Sequence, residues 1–438
     1  MPGAYITRRS FLGGSAAVTA AVTLGSCATN PVTGRRQFML MSSGDEIRID
    51  EENSPHQISF DYGPVQDDGL NQYISETGYR LVPVTHRPEM PYSFRGVNAT
   101  HVNAYAFPGG TIAVTRGLLL EMQSEAQLAA LLGHELGHVT ARHTAAAISR
   151  ATWIHLGVLL AGVAAAAYDE TYTNLAVGLG GVGAFLFLAK YSRDNEREAD
   201  KLALEYSTGA GYDPQGLVGL MDILRNLNQR RPNAIEVMFS THPMSDERYR
   251  DASRRAQRMA DPALDMKTGR ERYMDHTVSV REAGDAIRAM QRGSQAMVKN
   301  DLSQAETEFT QALRAAPNDY TALLLMAKTR IARERYADAI AHAAAASDVD
   351  PAEAQAWHVG GLAKVRAGHY DAALSDFRHY EQLLPGNPNT QFFKGYTLEQ
   401  MQRRSDAIRH YRRYLQMAPG GEHADYVRRR LNEWEQTL

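Results

Sequence analysis

The chain has 438 residues, of which 44% are apolar and 22% are charged, and its formal net charge is -3. A chain of this length exceeds what one hydrophobic core usually supports, so two or more domains are expected. The composition is typical of a soluble globular protein and disfavours a disordered chain, a polytopic membrane protein and a general nucleic-acid binder, so no nucleic-acid partner is predicted.

The first residues have the order of an export signal. A twin arginine, Arg8 and Arg9, precedes an uncharged segment, residues 11–24, and small residues follow. The uncharged segment is too short to cross a bilayer as a permanent helix, which favours a cleaved signal peptide. Residues 7–12, TRRSFL, resemble the twin-arginine translocation motif.

Cys27 is the single cysteine of the chain, so no internal disulfide is expected. Residues 24–27, LGSC, resemble a bacterial lipobox, which implies cleavage before Cys27 and lipidation of its thiol. The alternative is an ordinary secretory signal followed by an incidental cysteine. We predict a signal peptide over residues 1–26 and a polar, lipidated tether over residues 27–52, which would hold the protein at the periplasmic face of the outer membrane.

Residues 53–262 are predicted to form the next domain. A helical pattern over about residues 66–81 leads into a segment with β-branched and aromatic residues on both sides of a Pro-Gly-Gly turn at residues 108–110, which predicts a β-hairpin. A strong helix is predicted from Ser124, which can cap it, to Ile148, because leucines recur on one face.

Two histidines on this helix have the spacing of metal ligands. His134 and His138 are four residues apart, so they project from one side of a helix and can bind one zinc ion. Glu135 stands where a carboxylate can take a proton from water. Gly133 and Gly137 permit close approach of another element. The alternative is a chance His-Glu-x-x-His string of surface residues.

His143 is a third histidine of the same segment, and the spacing argues against it as a ligand. It lies five positions after His138, which is about 140° around a helix. No glycine intervenes to turn the chain back. We therefore expect His143 to face away from the metal.

Two apolar runs follow, residues 153–167 and 175–189, each of 15 residues. A helix needs roughly 20 residues to span a bilayer, so a soluble or interfacial hairpin over residues 153–189 is favoured over a membrane hairpin.

Glu196 and Asp200 come next and share one face of a predicted helix, whereas Glu198 points nearly opposite. Catalytic zinc usually has three protein ligands, so Glu196 is the candidate third ligand. Asp200 can accept the second ring N–H of a ligand histidine and fix its tautomer. The alternative is a solvated charged helix face.

Residues 263–285 are predicted to be a linker, and residues 286–438 repeat with a period of 34. Four series keep this period: Pro317, Pro351, Pro385 and Pro419; Ala305, Ala339, Ala373 and Ala407; Gly293, Ala327, Gly361 and Gly395; and Phe309, Ala343, Phe377 and Tyr411. The pattern resembles the tetratricopeptide repeat, whose superhelix has a concave face suited to a protein segment. The alternative is that the repeats only pack on the preceding domain.

Four motifs together resemble the gluzincin family of zinc metalloproteases that includes the CAAX prenyl endopeptidases and HtpX. The motifs are His134-Glu135-x-x-His138, Glu196-x-x-x-Asp200, the strand segment from Asn103 to Gly110, and Ser240-Thr241-His242-Pro243 followed by Arg248. The signal peptide and repeats are similar to those of periplasmic members of that family.

This resemblance implies one Zn2+ per chain and assigns roles to further residues. It implies that a substrate docks as an added strand along Asn103, Ala104 and Tyr105. It also implies that His242 is a gate or fourth ligand that holds the enzyme latent. The alternative for His242 is a histidine that caps a loop before a proline.

The predicted fold class is mainly α, with an α+β metalloprotease domain that contains a small β-hairpin or sheet and then an α-solenoid of tetratricopeptide repeats. The predicted function is a zinc endopeptidase of the bacterial envelope that degrades misfolded or misassembled outer-membrane or periplasmic proteins. Its partners would be protein or peptide substrates and, through the repeats, the outer-membrane assembly machinery. The alternative is a chaperone or scaffold that docks to that machinery with little proteolysis.

Overall fold

The computed structural model describes residues 27–150, 191–260 and 266–435. The predicted signal peptide and the predicted apolar hairpin lie outside these residues. The strands are β1 Cys27–Thr29, β2 Arg36–Phe38, β3 Ser93–Val97, β4 Ala104–Ala106 and β5 Thr111–Thr115. Within the described part of the chain, no helix is both long enough and apolar enough to cross a membrane.

Helices make up most of the remaining structure. They are α1 Ser43–Phe60, α2 Asp68–Leu81, α3 Arg116–Leu119, α4 Glu125–Thr140, α5 Arg193–Gly209, α6 Gln215–Arg230, α7 Pro232–Thr241, α8 Asp246–Met259, α9 Arg270–His276, α10 Val278–Glu282, α11 Gly284–Val298, α12 Leu302–Ala315, α13 Tyr320–Ala332, α14 Tyr336–Val349, α15 Ala354–Arg366, α16 Tyr370–Leu383, α17 Pro388–Gln400, α18 Arg404–Met417 and α19 Ala424–Glu435. Residues 143–150 are also helical.

The predicted hairpin is present as β4 and β5, which flank the Pro-Gly-Gly turn. β5 is the central strand of a three-stranded sheet, in which β4 pairs with it antiparallel and β3 pairs with it parallel. The parallel pairing of β3 is a long-range contact that the hairpin pattern did not predict. β4 is therefore an edge strand, and it packs beside helix α4.

The hydrogen bonds between β4 and β5 determine which backbone groups of β4 point away from β5. Asn103 accepts from the N–H of Thr115, and the N–H of Phe107 donates to Thr111. Because bonded positions alternate along an antiparallel strand, the N–H and C=O groups of Ala104 and Ala106 point away from β5.

Helix α4 begins as predicted and ends earlier than predicted. Ser124 caps it by accepting from the N–H of Gln127. The helix stops at Thr140 because Arg142 adopts a left-handed conformation with φ 61°. The apolar stripe had predicted one helix through Ile148. The Arg142 side chain is held there by Glu46 and by the carbonyl of Met41.

Residues 27–52 are folded, in contrast to the predicted tether. β1 and β2 pair antiparallel, with Cys27 opposite Phe38, and Met39 packs against Ala145 and Ala146. Glu46 of α1 is fully buried between Arg87 and Arg142. The polar composition suggested a solvated segment, but its charges pair with residues far along the chain.

The predicted linker is also helical and packed on the preceding domain. Helices α9 and α10 lie within residues 263–285, and the fully buried Tyr273 donates to the carbonyl of Leu119. Arg272 forms an ion pair with the buried Glu125 at 2.7 Å. These contacts leave little freedom between the first domain and the repeats.

The repeats form paired helices, as the 34-residue period predicted. At Gly361 an added Cβ would come within 2.6 Å of the Phe377 ring, so the small residue lets the two helices of a pair approach. Ala343 occupies the bulky position of the second pair, and there the small position is Ala327 rather than glycine. In this pair a smaller side chain at the bulky position thus accompanies a larger side chain at the small position.

The first repeats share a hydrophobic core with the preceding domain. One continuous cluster extends from Val65 to Met326. A buried ion pair joins Arg116 to Asp319 at 2.6 Å, and Gln291 donates to the carbonyl of Thr100 at 2.7 Å. The sheet and the repeats are therefore packed as one body in this region.

Candidate metal centre

The site lies where helices α4 and α5 cross closely. An added Cβ at Gly133 would lie 3.1 Å from the carbonyl oxygen of Ala203, and one at Gly137 would lie 3.2 Å from the Cα of Ala199. The two glycines therefore let the helix axes approach, as their positions suggested. This crossing brings Glu196, near the start of α5, to the histidines of α4.

The three predicted ligands converge in the interior. His134 Nε2 and His138 Nε2 lie 3.1 Å apart. Glu196 Oε2 is 3.7 Å from His134 Nε2, and Glu196 Oε1 is 3.4 Å from His138 Nε2. All three side chains are almost completely buried. The structure thus brings two imidazoles and one carboxylate together, although 57 residues stand between His138 and Glu196 in the sequence.

His242 joins this group from the segment that follows α7. One ligand atom from each of His134, His138, Glu196 and His242 lies within 4.8 Å of the others. His242 Nδ1 is 3.0 Å from Glu196 Oε1, and His242 Nε2 is 4.0 Å from Glu135 Oε1. His242 is 5% exposed, so its side chain lies inside the site, and its backbone N–H also caps α7 by donating to the carbonyl of Met238.

Asp200 lies behind His134, where the sequence predicted it. Its Oδ1 is 3.1 Å from His134 Nδ1, although the two groups lack the alignment of a hydrogen bond. Arg248 donates to both oxygens of Asp200 at 2.7 Å and is 2.6 Å from Glu196 Oε2. Arg248 also donates to the carbonyl of Pro243, so one guanidinium group orients two carboxylates and the segment that carries His242.

Glu135 is fully buried, and neither of its carboxylate oxygens has a hydrogen-bond partner among the described residues. Burial raises the pKa of this carboxyl group. A buried carboxylate without a partner is costly, so such a group usually has a functional reason to persist. Its position beside the ligand cluster leaves its oxygens free for a substrate or water.

The charge states of the cluster follow from burial and from its neighbours. Burial lowers the pKa of His138 well below its ordinary value. Burial alone would raise the pKa of Glu196, but His242, His138 and His134 hold it well below its usual range. Burial would also lower the pKa of His242, but Glu196 and Glu135 raise it overall.

This donor set fits a divalent metal such as zinc. Neutral imidazole and ionised carboxylate are the forms that bind a metal, and His138 and Glu196 take those forms here. Two facing imidazole nitrogens, which would otherwise compete for one proton, find a common partner in a cation. His134, His138 and Glu196 would hold the ion, and His242 is near enough to be a fourth ligand.

His143 and Tyr191 are contacts of the site that the sequence did not predict. His143 is outside the ligand set, as expected, but it does not point away from the site: it is buried, and its Nδ1 lies 3.1 Å from His138 Nδ1. The left-handed Arg142 makes the turn that the spacing argument had reserved for glycine. The Tyr191 ring stacks on His138 at 3.8 Å, and no spacing rule connects a residue beside the apolar runs to this helix.

Residues 69–256 match the family model described as Peptidase family M48, and they contain every residue of the cluster. These residues form a peptidase family M48 domain. Residues 296–362, after the M48 domain, match a tetratricopeptide repeat model, and residues 6–25 match the twin-arginine translocation signal model. The predicted fold class and the resemblance to a repeat-bearing metalloprotease family are confirmed.

Two curated relatives each match about half of the chain. The β-barrel assembly-enhancing protease of Yersinia pestis is 31% identical over 50% of this chain and 46% of its own length. The protein of that name from Escherichia coli is 28% identical over 56% of this chain and 52% of its own length. The chain thus spans about half the length of the curated relatives it matches. The solved Arabidopsis OM64 TPR domain is 19% identical with a TM-score of 0.26, over 27% of this chain and 98% of that domain.

Proposed function

We propose that this chain is a zinc-dependent endopeptidase of the bacterial envelope that acts on misfolded or misassembled outer-membrane and periplasmic proteins. The observation that carries the proposal is the buried convergence of His134, His138 and Glu196 beside Glu135, whose carboxylate has no described partner. The match to peptidase family M48, the match to a twin-arginine signal and the similarity to β-barrel assembly-enhancing proteases support it.

His134, His138 and Glu196 would hold a zinc ion, which would supply Lewis acidity toward the scissile carbonyl and the attacking water. Glu135 accepts the proton of that water and passes it to the leaving amine, because its oxygens are unengaged and lie beside the cluster. Asp200 and Arg248 keep His134 and Glu196 in place during this transfer. Burial of all these groups strengthens each of their interactions.

The substrate would extend the sheet at β4. The N–H and C=O groups of Ala104 and Ala106 point away from β5, and β4 lies beside the helix that carries Glu135. Both alanines are buried in this structure, so an extended peptide would reach these groups only after the covering residues move. Asn103 and Tyr105, whose backbone groups pair with β5, would hold that strand in register. Such docking recognises backbone more than side chains, which suits unfolded clients of varied sequence.

His242 would keep the resting enzyme latent by occupying the position that water and substrate need. Its distance of 3.0 Å from Glu196 and its burial support this proposal. Displacement of the segment after α7 would open the site, and a protein bound to the repeats could bias that change. A lipid on Cys27 would hold the enzyme at the outer membrane, where the repeats could contact the assembly machinery.

The proteolytic proposal is tested with casein as the substrate. Wild-type protein should cleave it, whereas chelated protein and Glu135→Gln should lose activity by roughly 1000-fold or more, since the general base or the metal is missing. Glu205→Gln, on an exposed face of α5, is the matched control and should cleave normally. Equal cleavage by all four samples would contradict a metallopeptidase.

Complementation of a deletion strain separates this function from a scaffold. Glu135→Gln should fail to complement if proteolysis is the essential activity, and it should complement fully if the protein is a chaperone or scaffold. The repeat truncation for this test removes only residues 387–438, because the earlier repeats share a core with the M48 domain.

Latency is tested by His242→Ala, which should raise basal casein cleavage several-fold because the position beside Glu196 becomes free. Ser240→Ala, in the last turn of α7, controls for a loosened helix end. Unchanged or lower cleavage by His242→Ala would assign His242 a structural role or a role in the reaction itself.

A further inference from the structure

The ring of His138 is contacted on the side opposite the ligand cluster. His138 Nε2 faces His134 and Glu196, and His138 Nδ1 lies 3.1 Å from His143 Nδ1. The second nitrogen of His143, Nε2, lies 3.2 Å from Glu198 Oε2. These contacts form a continuous line from the cluster to a carboxylate that the ligand set does not use.

If His138 Nε2 binds a metal, the ring protons of neutral His138 and His143 can be placed in only one way along this line. His138 then carries its proton on Nδ1 and donates it, so His143 Nδ1 must accept. A neutral His143 that accepts at Nδ1 carries its own proton on Nε2, which faces Glu198. The carboxylate of Glu198 accepts there, so every donor meets an acceptor.

The line does not stop at Glu198. Asn30, in the turn between β1 and β2, donates its side-chain N–H to Glu198 Oε1 at 3.4 Å. Gln37 of β2 donates to the carbonyl of Ala141, immediately before the left-handed turn that places His143. The N-terminal strand pair thus supports the metal site from outside, although the sequence assigned those residues to a tether.

We propose that His143 is a positioning residue for the metal ligand His138, and that Glu198 and Asn30 complete a relay that fixes the tautomer of His138. The inference rests on the proposed zinc site. In this relay the two histidine ligands differ in how a carboxylate supports them. His134 lies directly beside Asp200, whereas His138 is connected to Glu198 through the imidazole of His143. Partners of this kind orient a ligand ring and raise its basicity.

A purely structural role for His143 makes different predictions from the relay. If His143 only filled space, an isosteric apolar ring would preserve metal binding. If the relay operates, the acceptor at Nδ1 matters more than the volume. His143→Phe and His143→Asn separate the two cases, because phenylalanine fills the space without an acceptor and asparagine offers a carbonyl oxygen in a smaller side chain.

The first readout is the zinc dissociation constant of the folded, metal-free protein, measured by competition with a chelator. We expect His143→Phe to weaken zinc binding roughly 10- to 100-fold and His143→Asn to recover most of that loss. His276→Phe is the matched control. It makes the same exchange at a histidine that stacks on Tyr73 and lies outside the ligand cluster, and it should leave the constant unchanged.

The second readout is the tautomer of each ring in the zinc-loaded protein, observed through the imidazole nitrogens by NMR. His138 should carry its proton on Nδ1, and His143 should carry its proton on Nε2. Glu198→Ala should weaken zinc binding less than His143→Phe, because it removes the outer acceptor while the inner contact remains. A protonated Nδ1 on His143 in the loaded wild type would overturn the relay.

Neither readout requires proteolysis, so the relay and the proposed function can fail separately. An unchanged zinc constant in His143→Phe, together with normal casein cleavage, would overturn the relay and leave the protease standing. A wild type that binds zinc through these tautomers but cleaves nothing would overturn the protease and leave the relay standing. A wild type that takes up no zinc would overturn both.

Discussion

At the scale of single residues, the site depends on Arg248 as much as on the ligands it holds. Two nitrogens of its guanidinium group, Nε and Nη2, donate to Asp200. The third, Nη1, contacts Glu196 and donates to the carbonyl of Pro243. A planar fork of this kind cannot be reproduced by the point charge of lysine. The sequence motif included Arg248 but gave it no role.

Arg248→Lys should therefore lower the free energy of unfolding of the metal-free protein by about 1–3 kcal/mol, since buried carboxylates lose aligned donors. Denaturant unfolding measures this change. The control is Arg225→Lys, whose ion pair with Asp246 is exposed and should change stability by no more than about 0.5 kcal/mol. Equal effects of the two substitutions would contradict a special role for Arg248.

Residue types and helical spacing predicted His134, His138 and Glu196 as members of the cluster, whereas His242 was expected only from the resemblance to the gluzincins. Four-residue spacing places His134 with His138 and Glu196 with Asp200 whatever the rest of the fold does. His143 could not be predicted in the same way, because its position depends on a left-handed Arg142. That conformation is stabilised by Glu46, about a hundred residues earlier, and no local pattern reports such a partner.

At the scale of elements, sequence periodicity correctly predicted the repeat helices and the hairpin. Sequence composition did not predict that the N-terminal segment is folded and partly buried. The 34-residue period identified paired helices because small and bulky positions face each other inside each pair, as at Gly361 and Phe377. The N-terminal segment was misjudged because its charges suggested contact with water. Its Glu46 is instead buried with two arginines.

Edge strand β4 gives a prediction at this scale. Ala106→Pro removes an N–H that points away from β5, so the sheet ladder survives and only a docked peptide loses a donor. We expect kcat/KM for a peptide substrate to fall roughly tenfold, which corresponds to one lost hydrogen bond, with little change in stability.

Two comparators make this test specific. Ala106→Ser keeps the N–H and should retain activity. Tyr105→Pro removes an N–H that pairs with Ala113 and should lower the unfolding midpoint as well as activity. Full activity in a stable Ala106→Pro protein would show that the substrate does not extend the sheet at this edge.

At the scale of the whole molecule, the repeats contact the first domain at several separate places. Arg116 pairs with Asp319, Gln291 donates to Thr100, and farther along the solenoid Ser59 at the end of α1 donates to Glu353 before α15. Thr100 lies in the segment that leads into β4, and Arg116 directly follows β5, the strand that pairs with β4. A change in the curvature of the repeats would therefore reach the strand proposed to bind substrate.

Glu353 makes the contact with α1 sensitive to pH. It is 7% exposed, and burial raises its pKa to about 7, although hydrogen bonds from Ser59 and Gln355 oppose the shift. Asp350 adds like charge, and Gly63 leaves only enough space for the Glu353 carboxyl group beside it. The folded protein thus keeps a proton on Glu353 over a pH range in which the unfolded chain has lost it.

Between the ordinary pKa of 4.5 and about 7, the folded state binds one more proton than the unfolded state. Stability therefore falls as pH rises through this window and levels off above it, by at most about 3.5 kcal/mol at about 1.4 kcal/mol per pKa unit. Glu353→Gln resembles the protonated form, so it should remove this pH-dependent component of stability and should be more stable than wild type at pH 8.

Urea unfolding of both proteins from pH 5 to 8 measures the difference, and Glu334→Gln at an exposed turn is the control. Parallel curves for wild type and Glu353→Gln would mean that Glu353 is already ionised in the folded protein, and that the repeats meet α1 through a charged contact.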